Sequence, residues 1–136
     1  MKQGDVILTP VPQADGKVKN RPAIILREMP SYGDMLVCGV STQLHHYVKD
    51  FDEFISPEHD DFESSGLLAK SLIRLGFLAV LPRSRIMGTI GSISSERQKR
   101  LLKTLSDYLI RNSTNSADSA KETQPEREAE SSRRKQ

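Results

Sequence analysis

A chain of 136 residues, 36 % of them hydrophobic, has room for one domain with an adequate core and not for two. Its single cysteine, Cys38, lies in an apolar run and excludes an internal disulfide or a thiolate metal cluster, and no apolar stretch approaches the roughly 20 residues needed to span a bilayer. The net charge of +2 hides an acidic run from Asp50 to Glu63, set against Lys17, Lys19, Arg21, Arg74, Arg83 and Arg85. Gathered on one face those cations suit nucleic acid; spread evenly they are solvated surface.

The first expected strand is Val6 to Thr9 after Gly4-Asp5, stopped by Pro10 and Pro12. A polar loop from Gln13 to Asn20 leads to a second strand, Arg21 to Arg27, in which Pro22 holds Arg21 in extended geometry at a rigid loop-to-strand junction. The turn-rich segment Pro30 to Asp34 joins it to a third strand, Met35 to Val40, as a hairpin. Between Leu44 and Glu63 only Phe51, Phe54 and Ile55 point to a short strand. Ser71 to Leu75, Phe77 to Leu81 and Arg85 to Ile90 supply the remaining strand candidates, and short strands at this spacing predict a small β-barrel. The last element is a helix capped by Ser94 or Ser95, with Glu96 at its positive end. Leu101, Leu102, Leu105, Tyr108 and Leu109 form an apolar stripe expected to pack on the barrel. Beyond it, residues 111–136 carry alanine as their only apolar side chain and are expected to form a disordered polar tail after a domain spanning 1–110.

Two features carry chemistry. Arg21 offers a planar cation, and Ser41-Thr42-Gln43 deliver hydroxyls and an amide at the end of the third strand; guanidinium grips phosphate oxygens bidentately while hydroxyls donate to a further oxygen. His45 and His46 follow directly and titrate near neutrality as a class, which leaves open a proton-transfer role or that of exposed bystanders. Gln43, Tyr47 and Lys49 would line a nucleic-acid groove or belong to an ordinary loop, His59 reads as surface, and no histidine pair has an established metal-ligand spacing.

In order along the chain, Gly4-Asp5-Val6, Arg21-Pro22-Ala23-Ile24-Ile25, Val40-Ser41-Thr42, Gly66-Leu67 before Ser71-Leu72-Ile73-Arg74, and Gly88-Thr89-Ile90-Gly91-Ser92-Ile93-Ser94 resemble the MazF/PemK toxins of bacterial toxin-antitoxin systems over roughly residues 3 to 110. The resemblance implies a mainly β, SH3-like (MazF/CcdB-type) barrel with a C-terminal helix. It also implies a homodimer that cuts single-stranded RNA without metal or other cofactor, and the lack of a spanning stretch or a signal-peptide core in Met1-Lys2-Gln3-Gly4-Asp5 leads us to expect a cytoplasmic protein. A cognate antitoxin would cover the RNA groove, with the complex binding DNA. It assigns catalytic roles to Arg21, to Ser41 or Thr42, and to Arg74. From their own chemistry and position, Lys17, Lys19, Gln43, His45, His46 and Tyr47 are the expected substrate contacts. The aspartate of the PemK branch is replaced here by Gly76, and its first-loop histidine has no counterpart. Two alternatives share the fold: a non-enzymatic poison of DNA gyrase, and a catalytically inactive barrel that binds RNA or protein.

Overall fold

Strand β2, Val18–Glu28, carries at its centre the uninterrupted apolar run Ala23-Ile24-Ile25-Leu26, all four buried. An unbroken run marks a strand covered on both faces. The pairing bears this out: Val6, Ile24 and Cys38 lie in one cross-strand row, while Ile7, Ala23, Ile25, Met35 and Val37 form a core cluster under Leu81 and Ile86. In the computed structural model, which describes residues 1–12 and 14–111, β2 sits mid-sheet between β1 (Asp5–Pro12) and β3 (Met35–Ser41). With β4 (Glu53–Ile55), β5 (Ser71–Leu81) and β6 (Gly88–Ser92) they make one antiparallel six-stranded sheet, in the order β4-β5-β3-β2-β1-β6, curled into a half-barrel. Two helices complete it, α1 (Phe62–Ser65) and α2 (Ser95–Arg111). Residues 1–102 form one compact unit, and α2 continues from it into a second that begins at Lys103. No helix among the described residues is long and apolar enough to cross a membrane. The tail expected over 111–136 lies, from residue 112 on, outside the described residues.

Several boundaries differ from the sequence reading. Pro10 and Pro12 do not stop β1; they pair with Asn20 and Val18, because β6 pairs only with Asp5 to Leu8 and leaves an open edge beyond, where a missing amide N–H is tolerated. Arg21 therefore stands inside β2, opposite Thr9, not at a loop junction. The two strand candidates 71–75 and 77–81 are a single strand, β5, interrupted by a bulge: Gly39 pairs with Arg74 while its neighbour Cys38 pairs with Leu78. Helix α1 was not anticipated. In α2, Leu101 and Leu105 are buried, but Tyr108 and Leu109 are 49 % and 65 % exposed, so the apolar stripe is covered only along its first half. Ser94 is the cap, its hydroxyl accepting the Arg97 amide at 3.1 Å.

The acidic run is not merely solvated. Asp52 and Asp61 are buried: Asp52 accepts the amides of Val48 and Leu75, clamping the loop before β4 to the β5 bulge, and Asp61 accepts the Ser94 amide and a two-pronged contact from Arg97. Cys38 is fully buried, and burial first, with the Asp52 charge second, pushes its thiol up to about 12, leaving it protonated.

Helix α1 and strand β6 approach so closely that only glycine fits between them. A Cβ on Gly91 would lie 2.2 Å from the Ser64 carbonyl oxygen and 2.4 Å from the Ser65 carbonyl carbon, both backbone atoms that cannot rotate away. Gly91→Ala is therefore expected to destabilise the fold by about 3 kcal/mol, the upper range for overpacking. Gly88→Ala, on the same strand with nothing within 4 Å, serves as the neutral control. Denaturant midpoints of the two variants check this, and equal midpoints would show that the α1 turn yields.

Candidate active site

The period of two along a strand decides which side chains meet. Ala23 on β2 faces Gly39 on β3, and Gly39 faces Arg74 on β5, so the three share one face of the sheet. Two residues farther along the same faces come Arg21 on β2 and Ser41 on β3. Past the last β2–β3 pairing the strands diverge, and a cavity of about 350 Å³ opens between them. Arg21, Ser41, Thr42, Gln43 and Arg74 stand around it, over apolar walls that include Pro22, Val37, Phe77, Leu78 and Leu81.

The electrostatics of this cavity are one-signed. Among the described residues its lining holds two guanidinium groups and no Asp, Glu, His or Lys. The Ser41 oxygen accepts the Gln43 amide at 2.9 Å, which fixes the turn after β3 and leaves the hydroxyl hydrogen to point at an incoming acceptor. Arg74 lies over the Phe77 ring, 5.5 Å from its centroid, a contact that limits where the guanidinium can swing. Such an arrangement suits a phosphodiester: fixed cations and hydroxyl donors for the phosphate, apolar walls for what flanks it.

Five of the ten sequence-derived candidates thus converge on one cavity. The rest lie outside its lining. Both lysines are exposed, Lys17 in the β1–β2 connection, where its amide donates to Asp15, and Lys19 at the start of β2, paired with Val11. His45 and His46 sit exposed in a 3₁₀ turn, Leu44–His46, with their rings edge to face at 4.3 Å. Tyr47 stacks on Phe54 at 4.5 Å and lines a second cavity of about 400 Å³, with Lys70 over the Phe54 ring. That cavity holds cations and carboxylates together, and its Arg97 and Arg100 are both tied to Glu53. His59, read as surface, is half-buried there, its Nδ1 accepting the Ser56 amide at 3.0 Å. Gly76 is exposed in the β5 bulge, and a Cβ there would meet only Phe51 at an ordinary 3.6 Å, so sterics alone do not demand glycine where the PemK branch has aspartate.

Phe77 was missed, because an apolar residue between Leu75 and Leu78 reads as core. The available signal was Gly39: a glycine in the middle of an otherwise buried strand marks close approach by another group, and here that group is the Phe77 ring.

A family model described as PemK-like, MazF-like toxin of type II toxin-antitoxin system matches residues 2–109. Among solved structures, the Mycobacterium tuberculosis toxin MazF-mt6 is similar at a TM-score of 0.56 and 16 % identity, over 77 % of this chain and 95 % of that one. At that identity the likeness speaks for the fold. No curated protein sequence matches the chain.

Proposed function

The chain belongs to the PemK-like, MazF-like toxins of type II toxin-antitoxin systems, and from that premise we propose that it is a metal-independent endoribonuclease acting on single-stranded RNA, paired with a cognate antitoxin and working as a homodimer. The observation that carries this reading is the convergence of Arg21, Ser41, Thr42 and Arg74, from β2, the end of β3 and β5, on one cavity that carries no carboxylate among the described residues.

RNA brings its own nucleophile. The ribose 2′-oxygen attacks the neighbouring phosphorus, a 2′-O–P bond forms, the P–O5′ bond breaks, and the products are a 2′,3′-cyclic phosphate and a 5′-hydroxyl. Charge builds on the non-bridging oxygens in the transition state, and preorganised donors aimed there lower the barrier most. Arg21 takes two of those oxygens bidentately, Arg74 neutralises the charge from the neighbouring strand, and Ser41 and Thr42 donate hydroxyl hydrogen bonds that hold the phosphate in line. Among the described residues the lining offers no imidazole or carboxylate, and in this reading the 2′ proton leaves to water and the 5′-oxygen is protonated from water. The cleavage rate is then expected to climb steadily with pH, whereas an imidazole base would flatten it above the ordinary imidazole range.

The test is incubation of the purified chain with a long single-stranded RNA, and with DNA of the same sequence, in excess EDTA. Discrete RNA fragments ending in 2′,3′-cyclic phosphate, with the DNA intact, are expected, since DNA lacks the 2′-hydroxyl. Intact RNA after treatment with folded, antitoxin-free protein would end the ribonuclease reading and turn attention to gyrase inhibition or plain binding.

A further inference from the structure

Phe77 is 54 % exposed and faces the cationic cavity, and the fold takes unusual care to hold it there. Three residues, Leu75, Gly76 and Phe77, are looped out of the β3–β5 pairing, and the buried Asp52 carboxylate accepts the Leu75 amide at 3.1 Å to fix the start of that bulge. The ring then lies on Gly39, where a Cβ would come within 2.5 Å of Phe77 Cδ2. The Arg74 guanidinium lies over the ring, 5.5 Å from its centroid. An aromatic ring pinned against one guanidinium, in a cavity that a second also lines, has the chemistry of a base platform: the cations hold the phosphate while the ring stacks on a base, which every nucleotide presents as a π-face.

We propose that Phe77 is the stacking platform for the nucleobase flanking the scissile phosphate, and that Gly39 is glycine so that this ring can be seated. The inference rests on the ribonuclease reading of the same cavity and adds a specificity-determining residue to it. An unstacked, single-stranded base is required, because a base held in a duplex has no free face to offer.

The experiment measures anisotropy of a fluorescent single-stranded oligoribonucleotide, made uncleavable by 2′-O-methylation, with each nucleotide in turn made abasic. Wild type should lose about ten- to a hundredfold in affinity at one abasic position next to the cleavage site. Phe77→Leu should lose about as much on the intact oligonucleotide and no more at that position, and Phe77→Tyr should bind within about threefold of wild type. Gly39→Ala, which displaces the ring without removing it, should weaken binding in the same direction. Wild-type affinity in Phe77→Leu, or an undiminished abasic penalty, would overturn the platform while leaving the nuclease reading intact. A change in the sedimentation of Phe77→Leu would overturn it too, assigning the ring to contact between copies. Failure of wild type to bind or cleave any single-stranded RNA would overturn both readings.

Discussion

Arg21→Ala is expected to slow RNA cleavage by about a hundred- to a thousandfold, the cost of losing a preorganised donor at a developing oxyanion, while the thermal midpoint barely moves. The two halves of this expectation come from one placement. Arg21 is exposed, so truncation removes little buried surface; yet it sits within a strand, opposite Thr9 and ahead of Pro22, so its backbone cannot follow a substrate that shifts. Arg21→Lys should recover only a small part of the rate, since an ammonium cannot reproduce the bidentate grip. RNA binding by the alanine variant should also show a shallower salt dependence, by somewhat less than one counterion per lost phosphate contact on a single strand. Arg74→Ala should be weaker than the sum predicts when combined with Arg21→Ala, because both cations act on one phosphate. Single-turnover rates beside thermal melts decide the matter; an Arg21→Ala enzyme within threefold of wild type would remove this arginine from the mechanism.

The cavity rim was legible because its residues obey local rules. Arg21-Pro22 opens an apolar run, Ser41-Thr42-Gln43 closes one, and Arg74 alternates with Ile73 and Leu75 along β5, so strand period alone carries them to one face. What local rules do not encode is where a loop folds back. Lys17, Lys19, His45, His46 and Tyr47 lie near the rim residues in the chain but outside the lining, since the turn after Gln43 carries the histidines into a 3₁₀ segment and stacks Tyr47 on Phe54. The β5 bulge was invisible for a related reason. It depends on Asp52, 23 positions earlier, accepting the Leu75 amide, and a residue's partner at that distance leaves no trace in periodicity. Asp52 and Asp61 were likewise submerged in an acidic run whose members look alike in composition and differ only in what folding places beside them.

Arg97 is the clearest case of a decisive residue without a sequence signal, and its removal should be the most damaging single truncation for stability. Its side chain is 4 % exposed. Nε and Nη2 donate to the two oxygens of Asp61 at 2.8 and 3.1 Å, and Nη1 donates to Glu53 at 2.8 Å and to the Phe54 carbonyl at 3.1 Å. One guanidinium thus ties the first turn of α2 to β4 and to the turn before α1. Arg97→Ala strands a buried carboxylate, for which about 3–5 kcal/mol is the ordinary cost, or roughly 15–30 °C in the melting temperature of a domain this size. Replacing both partners, as Arg97→Met with Asp61→Leu, should recover much of that loss, because the stranded charge, and not the missing pair, is the penalty. The pH dependence follows with a definite sign. Burial opposes ionisation of Asp61, but hydrogen bonds from Arg97 and from the Ser94 amide outweigh it and hold the carboxyl at about 2, below its ordinary 3.8. A depressed carboxyl contributes stability that is fully present above about pH 4 and is lost as the pH falls through about 2, here roughly 2 kcal/mol. In Arg97→Ala burial is opposed only by the backbone amide bonds, chiefly that from Ser94, so acidification between those limits should destabilise less through this group. The consequence reaches the cavity, because β4 pairs Glu53 with Ile73, the neighbour of Arg74. A variant that melts low but is assayed well below its midpoint should therefore still cleave more slowly, through a loosened β5 and not through any lost contact with RNA.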